Sequence, residues 1–87
     1  PVFKIQILVS RGQLKNDDSH FNGLTDISSY TENGMTKYTY GASSNYNEIY
    51  RLRKQILDKF PGAFIIAFKN GAKMDVNTAI KEFKANR

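Results

Sequence analysis

The sequence predicts a single α+β domain, a four-stranded antiparallel sheet in the order 4-1-3-2 with its helices on one face. Three observations carry that expectation. Asn33-Gly34 lies between two alternating segments and is a strong hairpin signal, because a type I′ turn needs positive φ at both central residues. Met35 to Phe60 begins as a polar–aromatic strand, passes a polar turn and becomes a helix with one apolar stripe. Two compact apolar runs, FKIQILVS from Phe3 and AFIIAF from Ala63, supply the remaining strands. With 87 residues there is room for one domain, 1–87, with a modest core.

In the first strand, Phe3 to Ser10, strict alternation puts Phe3, Ile5, Ile7 and Val9 on the core face and Lys4, Gln6, Leu8 and Ser10 on the other. Arg11 to Thr25 is rich in Asn, Asp and Ser and reads as loop with at most one or two helical turns, Phe21 and Leu24 plugging the core. The hairpin Asp26–Glu32 and Met35–Tyr40 follows. A two-residue turn pairs Glu32 with Met35, Thr31 with Thr36 and Tyr30 with Lys37, and paired residues share a face. Tyr38 and Tyr40 then join Ile27 and Ser29 on the core side, while Tyr30, Met35, Lys37 and Thr39 take the opposite side.

Gly41 is expected to end the strand and Ala42 to Asn45 to form the connection. Asn45 reads as the N-cap, with Glu48 three residues on. Ile49, Leu52, Ile56 and Phe60 form the helix stripe, and Pro61-Gly62 stops it. After the strand Ala63–Phe68, Lys69–Ala72 reads as another turn and Lys73–Val76 as a brief extension. Asp75 or Asn77 caps a last helix over Thr78–Asn86, so that 69–87 forms a C-terminal extension.

The resulting order is βαββαβ, ferredoxin-like or RNP-like, with a short or degenerate first helix. Its bare face would carry Gln6, Leu8, Tyr30, Met35, Lys37 and Thr39. Apolar and aromatic groups on an exposed sheet face call for a ligand.

Composition narrows the chemistry. There is no cysteine, so thiol chemistry and disulfides are excluded. The formal net charge of +5 suits nucleic acid, anionic lipid or acidic polymers, although Arg51, Arg53, Lys54, Lys59, Lys81, Lys84 and Arg87 read more simply as solvated helix faces. The single histidine, His20, sits with Asp17 and Asp18 in a spacing that fits no zinc motif. No phosphate loop, nucleophile–base pair or carboxylate pair across a cleft is present. The expectation is no catalysis in this chain, no metal or other cofactor, and no membrane insertion. The abrupt opening into a strand suggests a domain excised from a longer protein.

The block Tyr38-Thr39-Tyr40-Gly41, a polar turn and then Glu48-Ile49-Tyr50-Arg51-Leu52-Arg53-Lys54-Gln55-Ile56 resembles the second half of a SPOR domain, a peptidoglycan-binding module of bacterial envelope proteins. Ile49, Leu52 and Ile56 hold the helix offsets of that pattern. The likeness spans roughly Phe3 to Phe68. It implies glycan binding on the sheet face away from the helices, in the bacterial cell envelope or periplasm, by a domain monomeric in isolation. Gln6 matches the family's first-strand Gln. Met35 falls where an aromatic residue is frequent, Lys37 where Arg is frequent, and Ile65 matches a last-strand apolar residue of the same face. Val9 stands where a small polar residue is common, and Arg11–Thr25 lacks the family's full first helix. Lys37 to Gly71 is similar, more narrowly, to the C-terminal SPOR-like domain of Bacteroides-type N-acetylmuramoyl-L-alanine amidases, which implies a zinc amidase parent whose catalytic domain lies elsewhere. Two other readings stay open. The same fold hosts RNA-binding modules, although Thr36–Gly41 does not fit their third-strand motif. The basic helix faces could instead dock a protein.

Overall fold

A computed structural model describes residues 1–86; Arg87 lies outside the described residues. The chain runs β1 (Val2–Ser10), a single 3-10 turn (Ser19–Phe21), β2 (Ile27–Glu32), β3 (Met35–Ser43), α1 (Tyr46–Ile56), β4 (Phe64–Lys69), β5 (Ala72–Met74) and α2 (Val76–Ala85). The strands form one antiparallel sheet in the order β2-β3-β1-β4-β5. It has five strands where four were expected. The fifth comes from the extension, because Asn70 and Gly71 both take positive φ (53° and 82°) and fold β4 back on itself. The Asn33-Gly34 turn has the same form, φ 56° and 75°, and sets the predicted register of Glu32 on Met35 and Tyr30 on Lys37.

Two bulges change what alternation alone predicts. On β1, Gln6 pairs with Thr39 but Leu8 pairs with Tyr38. Ile7 is therefore an extra residue, and every side chain after it changes face. Leu8 turns to the core side with Tyr38, and Val9, expected in the core, turns to the opposite face beside Lys37 and is 48% exposed. On β3, Ile5 pairs with Tyr40 and Phe3 with Ser43. Gly41, at φ 75°, absorbs that extra residue. It bends β3 instead of ending it, and the strand runs on to Ser43.

Both helices cover one face. α1 lies against β1, β3 and β4, and α2 against β4. Phe3, Ile5, Ile49, Ile56, Phe60, Ala63, Ala67 and Ala79 form the core between the layers. The Phe3 ring meets Tyr46 and Phe83 edge-on, at centroid distances of 5.3 Å and 6.3 Å, and so joins α1 to α2. The Asn45 side chain accepts from the N–H groups of Asn47 and Glu48, as expected of an N-cap. The Glu48 carboxylate accepts from the Ser43 hydroxyl, which in turn accepts from the Asn45 N–H, so Glu48 is linked to the N-cap backbone through Ser43. α1 ends at Ile56, before Phe60, which is still buried because its N–H caps the Ile56 carbonyl at 2.8 Å. Asp75 caps α2 by accepting from the Thr78 N–H at 2.9 Å.

No α-helix joins β1 to β2. The loop packs in its place through Phe21, 1% exposed, whose ring meets Tyr38 edge-on at 5.2 Å. The Leu14 N–H donates to the Tyr38 hydroxyl at 2.6 Å. One aromatic plug and one hydrogen bond do what a helix would have done.

Candidate functional site

The face away from the helices is not flat. β2 and β5 are the two edges of the sheet, four strand spacings or about 19 Å apart if the sheet were planar. A Lys and a Glu side chain cannot bridge that span. Yet Lys73 Nζ on β5 lies 3.3 Å from Glu32 Oε1 on β2, and the rings of Tyr30 on β2 and Phe68 on β4 are 5.3 Å apart, edge to face. The sheet curls, and the expected open platform is a concave face whose rims meet. Twist accumulated over five strands and sharpened by two bulges gives this shape.

Its side chains form a continuous chain of contacts. Lys4 Nζ sits 5.3 Å from the Phe68 ring centroid. Phe68 abuts Tyr30, and Lys73 Nζ lies 5.5 Å from the Tyr30 centroid. Such cation–π contacts contribute about 0.5–1 kcal/mol each at partly exposed sites. The Tyr30 hydroxyl donates to Gln6 Oε1 at 2.5 Å. Glu32 accepts from Lys37 as well as from Lys73. Hydrogen bonds from Lys37, then from Lys73, hold the Glu32 carboxyl below its ordinary pKa. For Lys73, burial favours the neutral amine, but bonds to Tyr30 and Glu32 outweigh it and the pKa is raised.

Of the residues expected here, Gln6, Tyr30, Met35, Lys37 and Thr39 share this face. Gln6 and Thr39 lie at its floor, 6% and 1% exposed, too deep to meet a ligand. Tyr30, Met35 and Lys37 remain half-buried and reachable. Two expectations are corrected. Leu8 is on the helix side, turned there by the Ile7 bulge. Ile65 pairs with Ile5 and packs against the core; its neighbours Phe64 and Ile66 pair with Gln6 and Lys4 and take the concave face. Lys4, Phe68 and Lys73 were not nominated from sequence. Lys4 shares the alternation of Gln6, and the signal for the others was Asn70-Gly71: read as a hairpin it pairs Phe68 with Lys73.

Elsewhere, the exposed Tyr50 flanks a recess of about 250 Å³ between α1, α2 and β4. His20 Nδ1 is bonded to Asp18 at 2.6 Å on an exposed loop. Among the described residues no group of three His, Cys, Asp or Glu side chains is placed to hold a metal. Among them, too, no helix is long and apolar enough to cross a membrane. Comparison with family models, curated proteins and solved structures finds no match.

Proposed function

We propose that this domain binds the glycan strands of peptidoglycan, without catalysis, on the concave face of its sheet. In this reading it is a SPOR-type module that holds a cell-wall enzyme, an N-acetylmuramoyl-L-alanine amidase, on its polymer in the bacterial envelope. The observation that carries the reading is the Tyr30–Phe68 ring pair flanked by the ammonium groups of Lys4 and Lys73, on the face opposite the helices. Aromatic rings suit the CH-rich faces of sugars. Ammonium groups donate to hydroxyls and N-acetyl carbonyls. Tethering through such a module raises the local substrate concentration of a linked enzyme.

The contact residues in this proposal are Tyr30, Met35 and Lys37 from the sequence, with Lys4, Phe68 and Lys73 added from the structure. Gln6 acts from beneath, orienting Tyr30 through its hydroxyl. The sequence β2-β3-β1-β4 within the sheet supports a ferredoxin-like ancestry in which the first helix has shrunk to the 3-10 turn.

The test is retention on purified sacculi, before and after amidase treatment, with single-stranded RNA as competitor. Retention that rises after treatment and ignores RNA supports the proposal. Phe68→Ala and Tyr30→Ala should each weaken it by about tenfold, as loss of an aromatic anchor does, with the fold retained by circular dichroism. No retention on sacculi, together with RNA binding that falls steeply with salt, would replace this reading with the RNA one.

A further inference from the structure

Within the strands, the concave face carries three lysines, Lys4, Lys37 and Lys73, and one carboxylate, that of Glu32, which contacts Lys37 and Lys73. Glu32 serves two of them at once and, together with the Tyr30 ring beneath Lys73, joins the sheet's two edges. Lys37 cannot simply return to water: its side chain is only 17% exposed. Removing the carboxylate would leave it a half-buried cation without an anion, a costly state. The face is therefore built to keep an anion between Lys37 and Lys73, and the chain supplies that anion from the rim of its own groove. The same Lys73 covers the Tyr30 ring, so the contact that neutralises the lysines also closes the aromatic surface.

We propose that Lys37 and Lys73 form an anion-binding pair, occupied in the free protein by the Glu32 carboxylate as an internal competitor, and that an anionic group of a bound ligand takes its place. When a ligand carboxylate bridges the two lysines, Glu32 swings out to water, and the ligand in its place keeps Lys73 of β5 beside Lys37 of β3. An acidic ligand thus takes over the position of Glu32, and a neutral one must open the Glu32–Lys73 latch with no charge to replace it. In part this deepens the glycan reading, because it makes a carboxylate-bearing sugar the preferred occupant. The lysine pair itself depends only on the geometry.

The experiment is a two-dimensional NMR titration of the wild type, Glu32→Gln and Lys73→Gln with three probes: inorganic phosphate, N-acetylmuramic acid and N-acetylglucosamine. The two sugars differ by a carboxylate-bearing ether. Phosphate and N-acetylmuramic acid should shift the signals of residues 30, 32, 37 and 73 in the wild type. Both should bind Glu32→Gln about three- to tenfold more tightly, as removal of one competing charge allows at low salt. Both should bind Lys73→Gln more weakly. Unchanged or weaker anion binding by Glu32→Gln overturns the internal competitor. Tighter binding by Lys73→Gln overturns the lysine pair and leaves a mere latch. Phosphate binding at these residues without response to either sugar, alongside failed retention on sacculi, sinks the glycan reading and leaves the anion pair standing. N-acetylglucosamine binding as tightly as N-acetylmuramic acid, with no phosphate response, does the reverse.

Discussion

At the scale of single residues, the fold leans on a few side chains in places where helix or strand packing is missing. Phe21 is the clearest. It sits at the end of the lone 3-10 turn, buried against Tyr38 of β3, so Phe21→Ala should cost about 3–5 kcal/mol, read from urea unfolding midpoints. Tyr38→Ala removes the partner ring and the hydroxyl that receives the Leu14 N–H, and should cost a similar amount. The pair should prove non-additive in a double-mutant cycle because each loss empties the same site. Tyr30→Phe is subtler. It keeps the ring but leaves Gln6 Oε1, in a 6% exposed residue, without its donor, at a cost of about 1–3 kcal/mol. Glu32 carries the pH dependence. A carboxyl whose folded pKa is depressed contributes stability that is present above its unfolded value, 4.5 for Glu, and is lost as pH falls through the folded one. Thermal melts from about pH 6 to about pH 3 should therefore decline less steeply for Glu32→Gln than for the wild type.

At the scale of elements, the decisive positions are where the strands depart from regularity. Gly41 combines a φ of 75° with a Cβ direction that would place an added carbon 2.6 Å from Leu52 Cδ2. Gly41→Ala should destabilise by more than about 1 kcal/mol, since both backbone and packing oppose it, and should shift the α1 resonances as Leu52 yields. These departures also explain what was legible in the sequence. The hairpin register followed from Asn33-Gly34, and the N-cap from Asn45, because each rests on chemistry within a few residues. The bulge at Ile7 carries no such mark. Nothing about an isoleucine in an apolar run announces an extra residue, so Leu8 and Val9 read on the wrong faces, and only the pairing with Tyr38 and Lys37 corrects them. Gly41 did announce an irregularity, but a strand end and a glycine bulge give the same local signal.

At the scale of the whole molecule, the sheet's composition was readable and its curvature was not. Tyr30, Met35 and Lys37 stood out as side chains that a flat sheet would leave exposed, and they do share a face. That Gln6 and Thr39 sink to its floor, and that β5 reaches back to β2, depends on twist summed over all five strands, a quantity no short window contains. A variant with Lys69 to Asn86 removed tests this scale. Losing β5 and α2 exposes Phe68 and strips Phe83 from Phe3. The expected outcome is loss of cooperative unfolding in calorimetry, whereas Lys73→Gln alone leaves cooperativity intact.

The position of β1 has a consequence for time as well as shape. It is the middle strand, and its partners, β3 and β4, belong to two hairpins that each close on an Asn-Gly turn. Hairpins form in about 1–10 µs. Neither neighbour of β1 is joined to it by a short turn, so it can be inserted only after a long loop closes on each side, and pairings of that kind are slow. The two hairpins should be present before the barrier and the first strand should dock at it, so that substitutions at Phe3 or Ile5 slow refolding while those at the turns act chiefly on the starting state. Of this domain's strands, the first in the chain is the one set in place last.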